Sequence, residues 1–540
     1  MIIIILFLSC SVLTLLLDRG PERRKIVLSE PGVGDFNVPE YGSYGRYGVG
    51  YFGVLLHLLE DFGYTYSIAE KAITEELLGD ADIFVVINRT EEFSAEEHDV
   101  IWEFVREGGA LLVLGDHTDI KGIMVYSNSL LEPVGIRYNF DSAMSSNMRW
   151  KSCYHKLNHP VLHEMSEDQI QTSVGASLYV GYSAFPVLIG KYGYSDWGNY
   201  LDVDRAYLGD YEYNHGEQLG DVILVAGSYY GDGRVLAFGD TSPFQNASIA
   251  YSYQYILNIF SWLSGEATAG QYYLRILLSI LLLLSAIILA LQLNRTEVFI
   301  LFPVVMLVSL IASSILNQSQ ADTVRLNDSA VFIDYSHGET FNYQSSTENS
   351  VDGFITNILR NGYICYLIRD FSNSRIENGE ILVLIAPTES FSNKEIEYIR
   401  NYVSHGGLLI INTGYPYRDA VQPLLTEFEL DILNLPLGPV PYIEEDPTAH
   451  MMEPKFVDCW PIMSFNDESE SFFSVELGEN EYDLVVFRKY EEGGILLISD
   501  SEFLLNHNLE SLNKYWPGNI KFLKDIFDEM SEREVLKSKD

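Results

Sequence analysis

A chain of 540 residues is too long for one hydrophobic core, since single domains usually hold roughly 100 to 200 residues, so two or three folded units are expected. Its 34 Lys+Arg against 76 Asp+Glu give a formal net charge of −42, which repels phosphate backbones and excludes a nucleic-acid-binding role. The four cysteines, Cys10, Cys153, Cys365 and Cys459, form no CxxC pair and no metal-ligand spacing, which disfavours a thiol-ligated zinc site.

The chain opens on an apolar run, residues 2–17, within a predicted N-terminal transmembrane segment 1–18 that reads as a signal anchor or signal peptide without a positive n-region. A first α/β domain is expected over 25–265. It begins with a short apolar strand, 26–30, ending in Glu30, followed by a glycine- and tyrosine-rich stretch, 41–51, that contains Arg46, and a helix over 52–62 closed by Gly63-Tyr64. The strand Asp82-Ile83-Phe84-Val85-Val86-Ile87 leads to Phe93-Ser94, an amphipathic helix stopped by Gly108-Gly109, and the apolar strand Ala110–Leu114. Ser94 is a good N-cap with acids in the first turn, and Gly-Gly stops a helix. The region closes on Gly233-Arg234-Val235-Leu236-Ala237-Phe238-Gly239-Asp240.

Two further apolar runs, 276–293 and 298–316, carry no charge and are long enough to cross hydrocarbon as helices. They read as a transmembrane hairpin over 272–317, whose turn Asn294-Arg295-Thr296-Glu297 holds both flanking regions on one side of the membrane. Arg19, Arg23, Arg24 and Lys25 favour the cytoplasm for that side. Arg295 in the turn, the acidic exterior and sequons at Asn88, Asn246 and Asn327 favour the outside. The balance places the protein in the cell membrane with extracytoplasmic domains.

A second, smaller α/β domain is expected over 328–530, with a charged tail at 531–540. It repeats the first: Ala330–Asp334 answers 26–30, and 351–359 with Gly362-Tyr363 answers the first helix. Ile381-Leu382-Val383-Leu384-Ile385, Phe391-Ser392, Gly406-Gly407 and the strand 408–411 follow at a constant offset of 298 residues. Gly493-Gly494-Ile495-Leu496-Leu497-Ile498-Ser499-Asp500 closes it at an offset of 260, so the first copy holds about 38 more residues in its middle. Continuous apolar strands alternating with amphipathic helices predict two Rossmann-like domains with mainly parallel sheets, plus three transmembrane helices.

In open parallel sheets the ligand crevice lies beyond the carboxyl ends of the strands. In the first copy that edge collects Glu30, Asp35, Asp116, His117, Asp240 and Thr241, with Arg46 in the nearby loop. A polar ligand could bind there. A divalent metal would use Asp116, His117 and Asp240. Against this stands the ordinary use of Asp and Ser after strands as turn formers and helix caps. In the second copy Asp334, His337 and Glu339 follow the first strand and Asp500 the last, but Asn412-Thr413-Gly414 replaces Gly115-Asp116-His117, so the first copy is the expected site. The Gly/Tyr stretch lacks a Walker lysine and a clean GxGxxG. It suits stacking against a sugar or a partner loop no better than it suits an unliganded loop.

The strand, the helix ending in Gly-Gly, the next strand and the late Gly-Arg-Val-Leu-Ala-Phe-Gly-Asp together resemble the class I glutamine amidotransferase-like superfamily. More closely they are similar to its membrane-linked branch of gliding-motility ABC-exporter auxiliary components and intraflagellar-transport N-terminal domains. The resemblance covers most of 25–265 and, more faintly, 328–510. It implies a flavodoxin/amidotransferase-like fold and, in active members, a cysteine in the strand-to-helix turn with glutamate and histidine partners. Here Gly115-Asp116-His117-Thr118 and Asn412-Thr413-Gly414 occupy that turn, and no thioester route can run through them. The expected function is a membrane-anchored, non-catalytic binding or assembly module with no required cofactor, recognising a polysaccharide, an envelope protein or a transporter partner. The alternatives are a metal-dependent hydrolase using Glu30, Asp116, His117 and Asp240, and an accessory subunit of an ABC-type exporter.

Overall fold

A computed structural model describes residues 25–265 and 330–536, apart from 46–50, 71, 147–149, 151–152, 164, 342–346, 370, 372–375, 378, 442–451, 466–467 and 512–513. The chain divides into two compact units. The first is drawn from Met1–Asp35, Gly63–Pro243 and Gln254–Thr323, the second from Phe36–Phe62, Phe244–Tyr253 and Val324–Asp540.

The first unit contains β1 (Lys25–Ser29), β2 (Thr65–Ala69), β3 (Ile83–Ile87), β4 (Ala110–Leu114), β5 (Ile136–Tyr138), β6 (Asp141–Ser145), β7 (Tyr154–Lys156), β8 (Leu178–Val180), β9 (Ala184–Trp197), β10 (Leu219–Tyr230) and β11 (Gly233–Phe238). Nine of these form one sheet in the order β2-β1-β3-β4-β11-β10-β9-β6, with β7 also on β9. From β2 to β11 the pairing is parallel; from β11 onward it is antiparallel. β3, β4 and β11 are buried at every position, the mark of strands covered on both faces.

The helix Ala95–Arg106 lies on this sheet because its apolar positions share one stripe, with Ile101, Trp102 and Val105 buried. It starts at a capping box in which Ser94 and Glu97 exchange side-chain and backbone bonds, and it stops at Gly108, whose φ of 108° is left-handed. The Trp102 indole donates to the Leu130 carbonyl at 3.1 Å, so the helix Ile123–Leu131 joins the same core.

The second unit contains β12 (Ala330–Asp334), β13 (Ile364–Ile368), β14 (Ile381–Ile385), β15 (Leu408–Asn412), β16 (Leu430–Ile432), β17 (Gly438–Val440), β18 (Phe456–Cys459), β19 (Ile462–Ser464), β20 (Ser469–Leu477), β21 (Asn480–Tyr490) and β22 (Gly493–Ile498). Its main sheet runs β13-β12-β14-β15-β22-β21-β20, parallel from β13 to β22 and antiparallel beyond. The helix Asn393–Ser404 begins at a second capping box, Ser392 with Glu395. Arg360 and Glu510 form a bidentate pair at 2.6 and 3.0 Å, both side chains 0% exposed. The same guanidinium donates to the carbonyls of Glu40 and Ser43, and Glu510 accepts the amide of Gly45. Every charge-bearing atom of the pair is thereby engaged, which is the condition for burying it.

Two expectations are corrected here. The sheets are mixed, not mainly parallel: β9 and β10, of 14 and 12 residues, pair antiparallel. They occupy the stretch that reads in sequence only as extra length, because which strands pair there and in which direction is decided by the tertiary structure. Three transmembrane helices are likewise not supported. Among the described residues no helix is long and apolar enough to cross a membrane. The two longest, Ile249–Ser264 and Pro517–Glu532, have 16 residues each, short of the roughly 20 that hydrocarbon requires. The runs 2–17, 276–293 and 298–316 lie outside the described residues. The transmembrane assignment, the cell-membrane location and the extracytoplasmic placement built on it are withdrawn.

The two capping boxes give a direct test. Ser94→Ala and Ser392→Ala should each cost about 1 kcal/mol in urea unfolding, whereas Ser→Gly at either position should cost only a few tenths. Stability unchanged in both the Ala and the Gly variants would show that the serine oxygen contributes nothing.

Candidate functional site

β4 and β11 are parallel neighbours, so the residues just past them share the carboxyl edge of the first sheet. Asp116 Oδ1 accepts the His117 amide at 2.8 Å, and Oδ2 accepts the Thr241 hydroxyl at 3.4 Å. Asp240 Oδ2 accepts the Ser173 amide at 2.5 Å, while Oδ1 accepts the Ser242 amide at 2.9 Å and its hydroxyl at 2.8 Å. The His117 ring stands 3.3 Å from the Thr118 hydroxyl through Nδ1 and 3.7 Å from Asp116 Oδ1 through Nε2. Asp116, His117, Asp240 and Thr241 are thus brought to one place. Glu30 is exposed one residue beyond β1, Asp35 is half-buried in the turn that follows, and Arg46 lies outside the described residues.

Burial raises the pKa of Asp116. Burial and the neighbouring Asp116 charge raise that of Asp240. Burial holds His117 below the ordinary imidazole value, although Asp240 pulls the other way. A neutral imidazole and two carboxyls that resist full ionisation can exchange a proton. Their oxygens, however, already accept backbone amides and the hydroxyls of Thr241 and Ser242.

The space above this edge is filled by the chain itself. Ala176 donates to the Gly239 carbonyl at 2.8 Å, which lays 173–177 across the strand ends. The Tyr138 hydroxyl donates to the carbonyl of Phe238 at 2.9 Å and reaches that of Val113 at 3.2 Å. A Cβ at position 115 would fall inside the Tyr138 ring, so only glycine fits there. Ser173 and Tyr138 are the residues that sequence reasoning missed. They lie 67 and 100 positions from their partners, in a segment with no motif.

The second unit carries the same device at Asp500, which accepts the amides of Val457 at 2.5 Å and Glu502 at 2.8 Å. Beyond β12, Asp334, His337 and Glu339 each offer a ligand atom within 4.8 Å of the others. The described part of the Gly/Tyr stretch is committed to packing: Tyr41 accepts from the Asn361 amide at 2.7 Å, and the Tyr44 ring lies 4.9 Å from the Arg360 guanidinium.

The raised pKa values set a pH dependence. A carboxyl whose folded pKa lies above its unfolded value contributes stability that is complete below the ordinary carboxylate range and is lost as pH rises through the folded value. Raising the pH from 5 to 8 should therefore lower stability. Asp116→Asn, which keeps an acceptor for the His117 amide and removes one charge, should flatten that slope and exceed the parent in melting temperature at pH 8. Parallel pH profiles for the two proteins would refute the assignment.

Residues 57–176 match the family model described as the IFT52 GIFT domain. No curated protein matches the chain. Among solved structures, the N-terminal domain of mmIFT52 is similar at 18% identity, covering 44% of this chain and 97% of that one, with a TM-score of 0.31. A cytoplasmic protein from Salmonella typhimurium matches at 16% identity, 44% and 98% coverage and a TM-score of 0.27. A ThuA-like protein from Bacteroides uniformis matches at 12% identity, 46% and 94% coverage and a TM-score of 0.27. Over 57–176 the chain is therefore similar to the IFT52 GIFT domain, in keeping with the amidotransferase-like resemblance.

Proposed function

We propose that this chain is a non-catalytic binding or assembly module, built from two copies of one amidotransferase-like plan. The observation that carries the reading is the strand-to-helix turn after β4. Gly115-Asp116-His117 stands where an active relative would place its cysteine, with the Tyr138 ring packed against it.

The described cysteines offer no substitute. Cys365 is buried inside β13 and its thiol is pushed well above its ordinary value by burial. Cys459, at the end of β18, donates to the Gly438 carbonyl and is pushed up to about 12 by burial and nearby aspartates. Neither forms a thiolate near neutral pH. Cys153 is half-buried just before β7, which pairs antiparallel with β9, and is not in the turn after β4. Matching sheet orders, paired capping boxes and the paired aspartates Asp240 and Asp500 favour the two-copy plan.

Binding would use surface rather than a crevice. At one end of β9 and β10 the first unit exposes Trp197 (56% exposed), Leu201 (91%) and Leu219, apolar groups that a partner could cover. Aromatic rings of this kind serve a polysaccharide or a protein partner.

The full chain should hydrolyse neither glutamine nor simple amides or esters at a rate that Asp116→Asn or His117→Ala reduces; turnover lost in either variant would overturn the non-catalytic reading. In affinity electrophoresis through polysaccharide gels, retardation of the parent that Trp197→Ser with Leu201→Ser abolishes would identify the ligand as glycan. Absence of retardation in every gel would leave a protein partner.

A further inference from the structure

β12 delivers Asp334 to the carboxyl edge of the second sheet, and the chain turns at once through Ser336, His337, Gly338 and Glu339. Asp334 is 0% exposed, His337 5% and Glu339 half-buried. One ligand atom from each lies within 4.8 Å of the other two. Burial disfavours a pair of carboxylates unless a cation accompanies them. Among the described residues the ion pairs recorded at this cluster all run through His337: to Asp334 Oδ2 at 2.6 Å from Nδ1, and to Glu395 Oε2 at 3.7 Å from Nε2. Neither Asp334 nor Glu339 is paired there with a lysine or arginine.

Groups that are not themselves candidate ligands help to hold Asp334 and His337, while Glu339 Oε1 accepts the His337 amide at 3.0 Å. The Ser336 amide and hydroxyl donate to Asp334 Oδ1 at 3.0 and 2.6 Å, which leaves Oδ2 turned to His337. The amides of Thr388 and Glu389 donate to the His337 carbonyl at 3.0 and 2.9 Å. The imidazole stacks on Phe391 at 3.9 Å and meets Phe371 edge-on at 5.3 Å. Glu395 is committed to its helix cap, where its Oε2 accepts the Ser392 amide at 2.7 Å. Gly338 sits at φ 65°, and a Cβ there would meet the Thr388 hydroxyl at 2.6 Å, so the turn that joins His337 to Glu339 requires glycine. Outer contacts of this kind orient metal ligands before the metal arrives.

We propose that Asp334, His337 and Glu339 bind one divalent transition-metal ion, of the Zn²⁺ or Mn²⁺ class, through two carboxylate oxygens and one imidazole nitrogen. The ion adds positive charge beside two carboxyls that otherwise have only His337 as a cationic partner, and it clamps the turn after β12. An imidazole in a set of only three protein ligands points away from Ca²⁺ and Mg²⁺, which take six or more ligands that are nearly all oxygen. The site is independent of the non-catalytic reading, which rests on the first unit.

The test uses the full chain after chelator treatment, titrated calorimetrically with Zn²⁺, Mn²⁺, Ca²⁺ and Mg²⁺, with bound metal counted by elemental analysis. One equivalent of Zn²⁺ or Mn²⁺ should bind in preference to Ca²⁺ and Mg²⁺ and raise the melting temperature. His337→Gln and Glu339→Gln should each weaken that binding by roughly tenfold or more. Asp116→Asn should leave it unchanged. Glu339→Gln keeps the size of a half-buried side chain, so an unchanged circular dichroism spectrum separates lost binding from lost folding. No uptake by the parent, uptake that survives both second-unit variants, or uptake lost in Asp116→Asn would each overturn the proposal.

Discussion

The architecture depends on a carboxylate set just past the fifth parallel strand of each sheet. Asp240 and Asp500 each accept one amide from their own turn and one from a segment that crosses the strand ends. A backbone N–H taken out of water needs an acceptor, and an ionisable oxygen is a strong one. The cost is electrostatic, since burial raises the pKa of both aspartates. The gain is that the edge where a parallel sheet would normally open a crevice is closed by its own chain. The edge is filled at Gly115, where the Tyr138 ring packs against the turn after β4.

A chain with a net charge of −42 must bury some acids and solves the problem in more than one way. Asp116, Asp240 and Asp500 take amide hydrogens. Glu510 takes a guanidinium, and the Arg360–Glu510 pair also gathers the backbone of Glu40, Ser43 and Gly45 within the second unit. Asp334 and Glu339 stand apart, because the neighbours that hold them supply hydrogen bonds but, apart from His337, no charge. That difference separates a turn former from a ligand set, and sequence alone does not reveal it, since all of these acids follow a strand or open a turn.

Local chemistry was legible wherever one element decides the outcome by itself. Ser94 with Glu97 and Ser392 with Glu395 read as N-caps and form capping boxes. Gly108 and Gly406 read as stops and adopt φ of 108° and 103°. β3, β4, β14 and β15 read as buried strands and are buried throughout. β9 and β10 were not legible, because β9 is only partly covered and their antiparallel pairing is decided by the tertiary structure. The apolar runs 2–17, 276–293 and 298–316 lie outside the described residues, and among the described residues no helix is long and apolar enough to cross a membrane.

By itself the sequence determined the net acidity, the buried strands β3, β4, β14 and β15, and the caps and stops of the helices between them, because each of these is set by residues within one turn or one strand. Only the tertiary structure decided which acids serve as acceptors for distant amides, that Tyr138 fills the edge above β4, that antiparallel strands extend both sheets, and that Asp334, His337 and Glu339 converge. Those outcomes join residues far apart in the chain or rest on what surrounds them, and the free energy of burying a charge is set by which partner the fold places beside it.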